Sequence, residues 1–202
     1  VDGATQKEND MNSFLTREAT RKDIPSVLAL QAKFHVSVVP ENARANGFVT
    51  TLLTAQQLEE LIAMHGLYLC EETVSKALCG YVVAASWPWL SQWPIFKYMA
   101  EELPTFAFEG VEVTARNSFQ YGPICIDEAY RGSPVLPALY EAVRTSPALA
   151  YPVAVTFINQ KNERSFAAHT RKLGVQVIDT FSFNDNTYYR LAFAMAGRLS
   201  YQ

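Results

Sequence analysis

The chain has 202 residues, of which 49% are hydrophobic and 12% aromatic, enough to bury a full core in one domain. Its formal charge of −3 and scattered lysines and arginines exclude the basic footprint of a protein that grips a nucleic-acid backbone, and point to a small-molecule partner. No apolar run approaches the roughly 20 residues of a membrane-spanning helix, and no spacing of Cys70, Cys79 and Cys125 suits a metal site, so none is expected.

The polar opening, VDGATQKEND, is unlike a secretory signal. Residues 1–13 are expected to be loose, with Met11 a candidate start, and 14–202 to form a single domain in a reducing, cytoplasmic setting. Phe14 to Thr20 reads as a first strand. Asp23 then caps a helix whose apolar positions Ile24, Val27, Leu28, Phe34 and Val38 fall near helical spacing. Thr54 and Gln57 form a capping box ahead of Leu58, Leu61 and Ile62, and Gly66 stops that helix.

Leu67 to Cys70 and Ala77 to Trp87, separated by the polar turn EETVSK, predict an antiparallel hairpin. Phe119 to Ile126 and Val153 to Ile158 are further strands, each followed by a helical pattern, which makes them parallel neighbours. Val175 to Phe183 and Thr187 to Phe193, flanking Asn184-Asp185-Asn186, close the chain as a hairpin. The result is an α/β domain: a mixed sheet of about seven strands flanked by helices, with 88–117 inserted between strands 3 and 4 as a lid or interface. That insertion reads as an aromatic loop with a short helix, then extra strand in TFAFEGVEV. The cluster Trp87, Trp89, Trp93, Phe96 and Tyr98, at and just after its start, fits core packing, an apolar acceptor pocket or a homodimer contact.

The stretch EAYRGSPVLPALYEAV, residues 128 to 143, turns from a strand into a helix, where free N–H groups and the helix dipole favour an anion. Gly132 and Ser133 supply turn and cap. Pro134 suits a first helical position, where its missing N–H was an unpaired donor anyway. Pro137 leaves two options: an irregular first turn, or a helix that begins later.

This stretch resembles the acetyl-CoA loop R/Q-x-x-G-x-G/A of the GNAT superfamily of N-acetyltransferases, with Arg131 at its first position and Pro134 and Leu136 where small residues are usual. NQKNERSFAAHTRKLG, residues 159 to 174, is similar to that family's N-x-x-A/S-x-x-x-Y segment, with Asn162, Ser165 and His169 in register.

The resemblance implies a pantetheine arm between splayed fourth and fifth strands, along the backbone of Ile124, Cys125 and Ile126. It implies a pyrophosphate on the amides from Arg131 through Gly132, Ser133 and Val135 to Leu136, with Asn162, Ser165 and Phe166 along the arm. It further implies acetyl transfer from acetyl-CoA to a small or peptide-borne amine, with His169 in place of a tyrosine acid. That chemistry asks for an oxyanion donor, for which a backbone N–H near Cys125 is the candidate, and a base, for which Glu112 and Glu109, just before the fourth strand, and Tyr121 within it are the nearest by sequence. The alternative is a CoA-binding regulatory module without turnover. A Cys125 thiol nucleophile is disfavoured by its place in an apolar strand.

Overall fold

Local chemistry fixes the first helices. The computed structural model describes residues 13–196, so the expected loose segment falls outside them save for residue 13, as does Met11. Thr20 and Asp23 close a one-turn 3₁₀ start in which the Asp23 carboxylate accepts from the Thr20 amide at 2.7 Å. The same carboxylate takes both terminal nitrogens of Arg17, at 2.7 and 2.8 Å, while Arg17 also binds Glu71. Helix α1, Ile24–Lys33, follows. It stops short of the expected Val38, which lies in a turn and is 63% exposed, because the three β-branched valines Val36, Val38 and Val39 just before Pro40 disfavour helix. Helix α2, Ala55–Ala63, carries the expected box: Gln57 N–H to Thr54 Oγ1 at 3.2 Å and Thr54 N–H to Gln57 Oε1 at 2.9 Å. The buried Gln31 amide ties α1 to this start through both its atoms and the Leu53 backbone.

Among the described residues, nine strands form two sheets. The larger has seven strands in the order β1 (Phe14–Glu18), β2 (Leu67–Glu72), β3 (Leu78–Ala85), β6 (Ser118–Ile126), β7 (Val153–Asn159), β9 (Asn186–Ala194), β8 (Gln176–Phe183). The smaller is a two-stranded hairpin of β4 (Ala107–Phe108) and β5 (Val111–Glu112).

The chain groups into two compact units. The first holds the described residues to Val39, Val49–Val83 and Pro123–Ser146. There β2 pairs antiparallel with β1 and with β3, and helix α5, Val135–Arg144, lies against β1 and β2. Val135, Leu139 and Val143, one turn apart, are fully buried and form its core stripe.

The second unit holds Pro40–Phe48, Ala84–Gly122 and the described residues from Pro147 on. In it β7 and β8 flank β9 antiparallel. The β8–β9 turn places Asn184 and Asp185 at φ 45° and 57°, the paired positive values that a two-residue hairpin loop needs.

The insertion is more ordered than its sequence suggests. Strand β3 ends at Ala85, and Trp87 opens helix α3 (Trp87–Leu90) instead of extending the strand, with α4 (Pro94–Glu102) next. Pro88 and Pro94 occupy first-turn positions, where proline costs no hydrogen bond. TFAFEGVEV folds back on itself as β4 and β5, turning through Glu109 and Gly110 at φ 48° and 79°. Trp87, Met99, Leu103 and Phe108 are buried with Val153, Val155, Phe181 and Tyr188, so the segment supplies core. Trp89 and Trp93 remain half-buried and meet edge to face at 5.3 Å.

Candidate functional site

The decisive backbone feature is in β6. It pairs in parallel with β7 only from Ser118↔Val153 to Gln120↔Val155, although both strands continue, β7 with β9 alone as its partner. Gly122 has φ 113° and Pro123 has no N–H, so the ladder with β7 cannot pass this point unbroken. This Gly-Pro pair was missed in the sequence reading. A glycine-proline step inside an apolar run is the signal that would have found it.

In the first unit, β6 ends in a turn led by Asp127, whose side chain accepts from the Ala129 amide at 3.1 Å. Ser133 does not cap α5 as expected. The N-cap is Pro134, and Ser133 Oγ instead donates to the Tyr130 carbonyl at 2.6 Å and faces the Val135 N–H at 3.3 Å. Helix α5 begins at Val135, which resolves the question of Pro137: it is the third helical residue, and the first intrahelical bond is Ala138 N–H to Pro134 O at 2.9 Å. Neither proline removes a helical hydrogen bond.

The free amides are fewer than expected. Arg131 donates to Glu128 O and Ser133 to Tyr130 O, both at 3.3 Å, and Val135 faces Ser133 Oγ. Among the described residues the amides of Gly132 and Leu136 have no acceptor, so they are what the dipole presents to an anion. Arg131 is held over the turn by stacking on Phe34 at 4.4 Å and by Nε–H to Ile126 O at 3.2 Å. Cys125 is buried, its Sγ 3.8 Å from Leu30 O, and burial pushes its thiol up to about 12, which excludes a ready thiolate nucleophile.

In the second unit, helix α6, Glu163–Ala167, runs into a π-helical turn, Ala168–Lys172. Asn162 caps α6 by accepting from the Ser165 amide at 3.3 Å. The Phe166 ring stacks on Tyr189 at 4.0 Å. His169 is buried and its Nδ1 lies 2.8 Å from the Ser165 carbonyl. That oxygen can only accept, so Nδ1 carries the proton and Nε2 presents a lone pair, which has no hydrogen-bond partner in the structure. The ring meets Tyr121 edge-on at 6.1 Å, and Tyr121 in turn meets Phe193 at 5.1 Å.

Tyr121 and His169 are thus brought together; Glu112 is not part of that group. It is exposed on the small hairpin, and its backbone carbonyl holds Asn117. Glu109 is likewise exposed and accepts from Gln176 at 3.1 Å. Among the described residues no three His, Cys, Asp or Glu side chains gather as a metal site, and no helix is long and apolar enough to cross a membrane.

No protein-family model and no curated protein sequence matches the chain. Solved structures do. An N-acetyltransferase from Staphylococcus aureus Mu50 superposes with a TM-score of 0.57 at 16% identity, covering 90% of this chain and 98% of that one. The Salmonella typhimurium protein yncA, with its cofactor acetyl-CoA, gives 0.56 at 14% identity over 94% and 98%. A GNAT-family acetyltransferase from Streptococcus pneumoniae gives 0.56 at 14% identity over 91% and 99%. The chain has the GNAT fold. Its seven-stranded mixed sheet and flanking helices follow that architecture, with α3, α4, β4 and β5 inserted between β3 and β6.

Within this GNAT fold, the buried imidazole has a measurable consequence. Burial lowers the pKa of His169, and the Ser165 carbonyl offsets only part of the shift. The unfolded ring titrates near ~6.5, so below that pH the unfolded chain binds more protons than the folded one. Stability should be intact above the unfolded value and fall as pH drops through the lower folded one. Melting temperatures from pH 7.5 to 5 should decline more steeply for the wild type than for His169→Leu; parallel slopes would contradict the buried neutral ring.

Proposed function

We propose that the protein is an N-acetyltransferase that moves an acetyl group from acetyl-CoA directly to an amine, in the reducing setting of the cytoplasm. The observation that carries this reading is the break in pairing after Gln120↔Val155, which leaves the backbone edge of β7 beyond Val155 without β6. The free amides of Gly132 and Leu136, in the turn that also carries Arg131, suit a pyrophosphate. Ile124, Cys125 and Ile126 offer their backbone to the pantetheine arm, and Asn162, Ser165 and Phe166 line it.

The chemistry asks for an uncharged amine, a donor for the carbonyl oxygen as it becomes an oxyanion, and a proton for the departing thiolate. A backbone N–H near Cys125 serves the oxyanion. His169 serves the proton, in a sense set by its tautomer: Nε2 first accepts a proton, directly or through Tyr121, and only then can give one to the thiolate. Glu112 on its exposed hairpin is the weaker base candidate, and Tyr121 the stronger.

Release of free CoA thiol from acetyl-CoA across a panel of small and peptide amines tests this activity. Amine-dependent release supports it; binding without release from any amine leaves a CoA-binding module. Asn162→Ala and Arg131→Ala should each weaken acetyl-CoA affinity by roughly three- to tenfold, the worth of one hydrogen bond or one shielded charge contact. Unchanged affinity in both would remove the cofactor from this turn and helix start.

A further inference from the structure

The β8–β9 register fixes which groups of β8 face outward. Phe183↔Asn186 closes the two-residue loop Asn184-Asp185, and the pair that flanks such a loop exchanges both of its backbone hydrogen bonds. Alternation makes Phe181↔Tyr188 the next bonded pair and leaves Ser182↔Thr187 and Thr180↔Tyr189 as open pairs. The Thr187 carbonyl agrees with this phase: it accepts from the Gln160 amide at 3.0 Å, on the side of β9 away from β8. The backbone N–H and C=O groups of Thr180 and Ser182 therefore point out of the sheet, where β8 is the last strand, and no group among the described residues bonds them.

An open strand edge is a template for pairing, which proteins ordinarily blunt with charge, proline or a bulge. Strand β1, at the opposite edge, is guarded: it carries Arg17 and Glu18, and Arg17 Nη1 donates to the Glu18 carbonyl at 3.1 Å. Strand β8 has a bulge between Val177 and Asp179, but from Asp179 to Phe183 it runs regularly against β9. This stretch has no proline and no lysine. Its single charge, Asp179, leans on the buried Arg190 of β9 at 3.4 Å, whose guanidinium stacks on Phe106 and Phe181. Thr180 and Ser182 are exposed and uncharged, while Phe181 and Phe183 pack against Tyr98 on the other side of the strand.

We propose that β8 pairs antiparallel with β8 of a second copy of this chain, about a two-fold axis at Phe181, joining two seven-stranded sheets edge to edge. Thr180 then lies opposite the partner's Ser182, and Ser182 opposite the partner's Thr180, so outward groups meet outward groups and each pair bonds both ways. Phe181 meets the partner's Phe181 as the unbonded pair, and the aromatic sides of the two sheets become continuous. Charge selects this register. Asp179 stands opposite the partner's Phe183, which sets the two Asp179 carboxylates about 14 Å apart along the strands, beyond the roughly 8 Å reach of exposed charges at physiological salt. A slip of two residues one way halves that separation. A slip the other way sets Asp179 opposite the partner's Asp185.

The test is the mass of the full chain in solution, by sedimentation equilibrium from low to high micromolar concentration and without acetyl-CoA, which this contact does not involve. The mass should rise to twice that of the chain and no further. Thr180→Pro removes an outward N–H but no β8–β9 bond. With its fold checked by circular dichroism, this variant should weaken dimerisation at least about tenfold, through the loss of one hydrogen bond from each copy. If it does not fold, hydrogen exchange in the wild type decides. The amides of Thr180 and Ser182 should exchange more slowly at high concentration than at low, while those of Phe181 and Phe183 stay protected at both. A chain that remains monomeric, a mass that grows past the dimer, a dimer indifferent to Thr180→Pro, or exchange at Thr180 and Ser182 that ignores concentration overturns the proposal.

Discussion

Trp87→Ala should cost about 3–5 kcal/mol of folding stability, the range for truncating a large aromatic residue in a core. Trp87 is 1% exposed, opens α3, and donates from Nε1 to Ser118 Oγ at 3.0 Å. Ser118 in turn donates to the Thr114 carbonyl at 2.6 Å, so one indole fixes both ends of the insertion to the start of β6. Trp87→Phe keeps most of the packing but strands the Ser118 hydroxyl's second contact, at a cost of about 1–2 kcal/mol. Urea unfolding at constant m-value separates the two. A loss under about 1 kcal/mol for the alanine variant would mean that the insertion is not core.

The second large effect has opposite signs in two assays. Ser133→Asp places a carboxylate beside the Val135 N–H and the free amide of Leu136, where a negative charge steadies a helix start by about 0.3–1 kcal/mol. The same charge would face a bound pyrophosphate at about 5 Å, and Coulomb repulsion at that distance in a partly screened setting lowers affinity roughly 10- to 100-fold. Acetyl-CoA binding should therefore weaken while the melting temperature holds or rises. Ser133→Asn, without the charge, should leave affinity within about threefold. Equal affinity in the aspartate variant would contradict an anion at this tip.

What the sequence made legible was local in origin. The Thr54–Gln57 box and the Asn184-Asp185 turn depend on residues three or fewer apart, and both formed as expected. The stripe Val135, Leu139, Val143 declared α5, but not which residue starts it: Ser133 and Pro134 both suit a helix start, and the Tyr130 carbonyl decided between them by engaging the Ser133 hydroxyl. The aromatic insertion was less legible because tryptophan and phenylalanine serve helix and strand alike; its prolines at first-turn positions were the usable clue. Arg190 was beyond reach. Alternation in YYRLAF assigns it a side of the strand, whereas its burial depends on Phe106, more than eighty residues earlier in the chain. The His169 proton was equally hidden, since it is placed by a backbone carbonyl one helical turn before it.

Isothermal titration of acetyl-CoA into the wild-type protein bears most directly on the function. A GNAT fold whose β6 leaves β7 at Gly122-Pro123, with two free amides at the tip of α5, should bind it one to one in the micromolar range. A flat titration at millimolar ligand would contradict the assignment of this protein to acetyl-CoA chemistry.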